Sequence, residues 1–146
     1  MKPLCLAGLL VFLFFQSTGA LAGKNVCITM DGVNVCVQVR GSCDLSYLIP
    51  KERSDIHMDL FYISIVNNSE RQIRFNPNAF YGITGHGVPI IMDIPFYESV
   101  QLKNKLIKKD LLKKDRVEGF IFFPSHMGSI TTIGYGGSPR FEIKLY

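Results

Sequence analysis

Val26-Cys27-Ile28-Thr29-Met30-Asp31-Gly32-Val33-Asn34-Val35-Cys36-Val37 is the stretch that decides the fold. Apolar and polar residues alternate on both sides of Asp31-Gly32, and Asp-Gly between two such runs predicts a type I′ turn of two residues. Counting outward pairs Met30 with Val33, Thr29 with Asn34, Ile28 with Val35, and Cys27 with Cys36. Hydrogen-bonded and non-hydrogen-bonded pairs alternate along such a ladder. The two sulfurs fall on a non-hydrogen-bonded pair, where side chains lie closest. A cross-strand disulfide is therefore predicted, and with it an oxidising compartment. Val26, Ile28, Met30, Val33, Val35, Val37 and Val39 share one face, while Thr29, Asn34 and Gln38 share the other with the cysteines. One face is core and the other is wet, as in an antiparallel sheet covered on one side.

What precedes the hairpin agrees with that compartment. Met1 to Ala22 reads as a cleavable secretory signal: Lys2 is basic, Pro3 to Phe15 is apolar, and Ala20-Leu21-Ala22 is a small-x-small cleavage site. The apolar run is too short to span a bilayer comfortably. Cys5 leaves with the signal, and residues 23–146 remain as one domain, long enough to bury a core. Removing Lys2 takes the formal charge from +4 to +3. Cys27, Cys36 and Cys43 stay behind, an odd number in an exported chain. With Cys27 and Cys36 matched across the hairpin, Cys43 is a free thiol or a link to a second chain; the competing arrangement joins Cys36 to Cys43.

Further along, turn residues recur between runs rich in Val, Ile, Phe and Tyr, the pattern of an all-β sandwich or barrel. After a loop from Gly41 to Asp55, the run from Ile56 to Val66 is apolar on nearly both faces and reads as a central strand. Gln72 to Phe75, Phe80 to Thr84, Val88 to Ile94, Val117 to Phe123, Ser129 to Tyr135 and Arg140 to Tyr146 follow as strands. Pro89 and Pro95 place Val88–Ile94 at a sheet edge. In Ser99 to Lys114, Leu102, Leu106, Ile107 and Leu111 fall at helical spacing, which predicts a short amphipathic helix or an irregular crossover.

Two passages carry a resemblance over roughly Ile56 to Tyr146. The first is Leu60-Phe61-Tyr62-Ile63-Ser64-Ile65-Val66-Asn67-Asn68-Ser69, followed by Ile73 to Phe80 with Pro77 inside. The second is Leu111 to Pro124, a charged turn leading into Val117-Glu118-Gly119 and an aromatic strand. Together they resemble bacterial exported immunoglobulin-like β-sandwich domains of the domain-of-unknown-function type, although Lys114-Asp115 stands where that family carries Pro-Gly. The resemblance implies an antiparallel immunoglobulin-like sandwich in an adhesive or accessory role. It implies nothing about a catalyst, since its motifs hold no reacting groups.

Reactive chemistry is sparse in this chain. It has no Gly-x-Ser-x-Gly elbow, His-Glu-x-x-His helix or phosphate loop, and its acids, Asp59, Asp93, Glu118 and Glu142 among them, are scattered. No zinc-type or haem-type cysteine spacing occurs, and Cys27 and Cys36 lack the helix start that activates a redox pair. His57-Met58 and His126-Met127, with His86 and Met92, are a ligand set suited to Cu(I), but neighbours on one strand point to opposite faces. Copper is therefore an alternative resting on His57, His126 and Met127. Asn67-Asn68-Ser69 serves as a glycosylation acceptor or simply as a turn. Lys103, Lys105, Lys108, Lys109, Lys113, Lys114 and Arg116 form a basic run, either a surface for an anionic partner or a solvated face. It holds no interleaved aromatic residue on which bases would stack.

The expected protein is an exported, non-enzymatic binding or accessory protein of the envelope or extracellular space, without a cofactor. Its expected partner is another extracytoplasmic protein or an envelope polymer. Nucleic acid is not expected, and membrane contact is peripheral at most. Val88–Ile94 and Lys103–Arg116 are the first candidate surfaces.

Overall fold

The structure, a computed structural model, describes residues 23–44, 57–124 and 128–146. The expected signal segment with Cys5, most of the Gly41–Asp55 loop, and His126 with Met127 lie outside the described residues. So do the side chains of Cys43, Asp44 and Phe96.

The hairpin forms in the register that the Asp-Gly turn dictates. Strands β1 (Asn25–Met30) and β2 (Val33–Asp44) pair Met30 with Val33 and Cys27 with Cys36. Asp31 and Gly32 sit at φ 50° and 78°, both left-handed, as a type I′ turn requires. The Cys27–Cys36 disulfide is formed, with the Cα atoms 4.1 Å apart, which settles the pairing against Cys36–Cys43. Cys27 is exposed and Cys36 half-buried, so the bridge lies on the wet face. Closing so short a loop stabilises by about 2–3 kcal/mol through the unfolded chain. Cys27→Ala with Cys36→Ala is therefore expected to lower the denaturant midpoint, and β1 amides should exchange fastest; hydrogen exchange with and without a thiol reductant checks this.

β2 runs on past a bulge at Val39–Gly41 and pairs with β3 (His57–Asn67), which pairs in turn with β8 (Arg116–Pro124). The first sheet has the order β1-β2-β3-β8, so the longest apolar run is a central strand, as its two-sided hydrophobicity predicts. The second sheet has the order β10-β9-β5-β6, built from β5 (Phe80–Thr84), β6 (Pro89–Ile91), β9 (Ile130–Tyr135) and β10 (Phe141–Lys144). The proline-bearing β6 is an edge strand. A small third sheet pairs β4 (Ile73–Phe75) with β7 (Lys109–Leu111).

All pairings between named strands are antiparallel. The two large sheets share one core: Val33, Val35, Val37, Ile63, Ile65, Ile121 and Phe123 come from the first, and Phe80, Ile90, Ile133, Tyr135, Phe141 and Ile143 from the second. Phe75, Phe80, Tyr135 and Phe141 stack with ring centroids 5.0 to 6.1 Å apart, which ties β4 to the second sheet. The chain is an all-β antiparallel sandwich stapled by its N-terminal hairpin.

The segment with helical spacing is an irregular crossover. Leu102, Leu106 and Leu111 are buried, but Ile107 is exposed. Lys105 bridges Phe120 as a short parallel partner to β8: Phe120 N donates to Asn104 O at 2.8 Å, and Leu106 N to Phe120 O at 2.9 Å. The one α-helix among the described residues, α1 (Ile94–Ser99), comes earlier and carries Pro95 in its first turn, where a missing N–H is harmless. Tyr97 anchors it, packing on Phe122 and donating its hydroxyl to Leu106 O at 2.6 Å.

Candidate functional site

The basic run divides between structure and surface. The Lys105 amine donates to the carbonyls of Tyr97, Glu98 and Val100 at 2.7, 3.3 and 3.1 Å and lies 5.0 Å from the Tyr97 ring centroid. A cation at a helix C-terminus satisfies carbonyls that the helix leaves open. Desolvation there holds the Lys105 ammonium below the usual lysine range. Lys109 donates to Arg116 O, Lys113 pairs with Glu70, and Arg116 with Glu118 at 2.7 Å. Lys103, Lys108 and Lys114 are exposed. The sequence reads seven cations as one surface; in the fold, four of them are engaged within the chain.

The His and Met residues do not assemble among the described residues. Met58 and Met92 are buried in the core, while His57 and His86 are exposed, His86 in the turn after β5. No group of three or more His, Cys, Asp or Glu side chains gathers among the described residues. Asn67 is a different matter. Its side chain is fully buried, donating to Arg71 O at 2.7 Å and Leu111 O at 3.0 Å and accepting from Ser69 N at 3.0 Å. An amide nitrogen so committed has no room for a glycan, so Asn67-Asn68-Ser69 acts as the turn.

Two arrangements stand out as candidate sites. The first is the solvent-facing side of the second sheet, where cross-strand register sets the neighbours. One row reads Ile91, Tyr81, Gly134, Glu142 and the next Pro89, Ile83, Thr132, Lys144. Ile91 is 78% exposed, and Val88 and Ile94 are exposed on either side of β6. The Tyr81 ring lies over Gly134, where a Cβ would come within 2.3 Å of it, and its hydroxyl donates to Glu142 at 2.7 Å. That bond and burial raise the Tyr81 pKa. The face is thus apolar at the β6 side and charged at the β10 side. Sequence alternation identifies the outward positions but not which of them become neighbours.

The second is a cleft of about 200 Å³ between the sheets, lined by Val39, Gly41, Asp59, Leu60, Phe61, Ser129, Ile130 and Tyr146. Asp59 stands opposite Ser42 and shares its strand parity with Phe61, Ile63 and Ile65, so it lies on the core-facing side of β3, where it is half-buried. Burial pushes its carboxyl up, and a Ser42 hydrogen bond opposes that shift only partly. Read as one of several scattered acids, Asp59 is easy to miss. Its signal is positional, an acid in the inward register of the most apolar strand.

A carboxyl whose pKa rises on folding destabilises the native state as pH climbs through and above the ordinary aspartate range. Asp59→Asn is therefore expected to raise the thermal midpoint at pH 7. The gain should vanish near about pH 3, where the acid is protonated in both states. Paired melting curves at the two pH values check this.

No family model matches the chain, and no curated protein matches it in sequence. Two solved structures share its fold. The yjhA protein from Bacillus subtilis superposes with a TM-score of 0.57 at 14% identity, covering 83% of this chain and 96% of that one. The secreted protein MPT63 from Mycobacterium tuberculosis gives 0.54 at 12% identity, covering 84% of this chain and 90% of that one. By arrangement of strands, the chain is similar to these two bacterial proteins.

Proposed function

We propose that this is an exported, non-enzymatic binding protein that docks another extracytoplasmic protein on the outer face of its second sheet. The observation that carries this reading is the apolar group Ile91, Tyr81, Ile83 and Pro89, placed side by side by register, with Ile91 and Pro89 exposed and Tyr81 and Ile83 half-buried. Contiguous apolar surface of this kind, rimmed by polar residues, is characteristic of protein interfaces. The open edge of β6 adds main-chain groups that a partner strand can pair with. Export is supported by the exposed disulfide and by the secreted neighbour of the same fold. Among the described residues no helix is long and apolar enough to cross a membrane.

The basic crossover is the weaker surface, because four of its seven cations are already engaged. A photocrosslinker at position 91 tests the reading in the native envelope or secreted fraction. One discrete adduct at position 91, absent with the same group at Thr29 and lost in Tyr81→Glu, is the expected result. Adducts that appear equally at both positions, or that survive Tyr81→Glu, contradict it.

A further inference from the structure

The outer sheet face leaves Asp59 and its cleft without a role. We propose that this cleft binds a small organic ammonium ion, with the Asp59 carboxylate as counter-ion and the Tyr146 and Phe61 rings as walls. Among the described residues Ser42 supplies Asp59 with a hydrogen bond, and no Lys or Arg forms an ion pair with it. A half-buried carboxylate beside an apolar cleft, with no ion-pair partner among the described residues, is a costly placement for a side chain that packing alone would fill with Val or Thr. A cation from outside would offset that cost.

The walls narrow the chemistry. Val39 and Ile130 offer no hydrogen bonds from their side chains, which suits alkyl groups better than a hydrated metal ion. Aromatic rings attract ammonium groups through their faces, most strongly when the charge is desolvated. This corner of the fold already shows that preference: the Lys24 ammonium lies 5.0 Å from the Tyr146 ring centroid. Size sets a limit as well. About 200 Å³ is roughly the volume of six or seven waters, hence of a ligand with about as many heavy atoms. Choline has that size, and so does the end of a lysine side chain.

Amide chemical-shift titration of the full mature chain separates these cases, with choline, Nα-acetyl-lysine amide and the neutral choline isostere 3,3-dimethylbutan-1-ol as probes. Saturable shifts at Leu60, Phe61 and Ile130 are expected with an ammonium, and at least tenfold weaker binding with the alcohol. Choline outcompeting the lysine amide assigns a quaternary headgroup; the reverse order assigns a peptide or polyamine amine. Asp59→Asn should lower affinity at least tenfold while the fold is retained. Tyr146→Ala, at an exposed position, should lower it severalfold and gives a second readout if Asp59→Asn fails to fold. Equal binding of the alcohol, absence of saturable shifts with either ammonium, or unchanged affinity in both variants overturns the proposal. The outer-face reading survives any of these outcomes, because Ile91 and Tyr81 do not line the cleft.

Discussion

Gly119→Val is expected to destabilise the protein by about 3 kcal/mol or more, the upper end of what forced overpacking does. Gly119 lies in β8 opposite Ile63, against the crossover. A Cβ there would sit 2.6 Å from Asn104 O and from Leu106 N, and 2.7 Å from Leu106 Cα. These are backbone atoms, so no rotamer change relieves the clash; the crossover itself must move. With it go both hydrogen bonds between Phe120 and the Asn104–Leu106 segment, the acceptor of the Tyr97 hydroxyl, and the fully buried Leu106. A thermal midpoint lower by about 10 °C is the expected reading. Gly136→Ala is the control, since a Cβ there meets only Ala79 O at an ordinary 3.6 Å. Equal midpoints for the two variants would contradict the account of the crossover.

Asn67→Ala should be nearly as damaging, at about 3 kcal/mol, because it strands buried polar groups rather than removing a surface contact. Asn67 joins four parts of the chain. Its side chain bonds Arg71 O and Leu111 O and accepts from Ser69, its own N–H donates to Asp115 O at 3.0 Å, and its carbonyl accepts from Lys114 N at 2.6 Å. Next to it, Asn68 N donates to Gly32 O at 2.8 Å, so the hairpin turn docks on the same knot. Asn67→Asp exchanges two donors for acceptors that face carbonyl oxygens and should be no better tolerated. The exposed Asn68 changed to Ala should stay within about 0.5 kcal/mol of the parent. Chemical denaturation of the three variants supplies the comparison.

Much of the frame was legible from residues alone, because it rests on local rules. Asp31-Gly32 sets turn type and register, and the register alone brings Cys27 to Cys36. Two-sided hydrophobicity marks β3 as central, and Pro89 marks β6 as an edge. What the sequence concealed depends on contacts between distant segments. Leu102, Leu106, Ile107 and Leu111 have helical spacing, yet pairing with Phe120, which the missing side chain of Gly119 permits, draws the chain out of a helix. Pro95 looks like the end of a strand and instead begins α1.

The basic run is contiguous in sequence, but backbone carbonyls and facing acids engage four of its seven cations. The outer-face group of Ile91, Tyr81 and Ile83 comes from two strands whose pairing no single window displays. Asp59 was visible as an acid, but its inward direction needed the strand's parity to be counted from Ile63.

An NMR footprint tests whether a partner docks on the outer face of the second sheet. The isotope-labelled chain from Gly23 onward is mixed with the native extracytoplasmic fraction, and the loss of signal at each residue is followed. Loss concentrated at Tyr81, Ile83, Ile91 and Thr132, with Thr29 and Asn34 unaffected and the effect removed by Ile91→Glu, is the predicted result. Loss centred on Lys103, Lys108 and Lys114 and abolished by salt, with the β5–β6 face untouched, would contradict it.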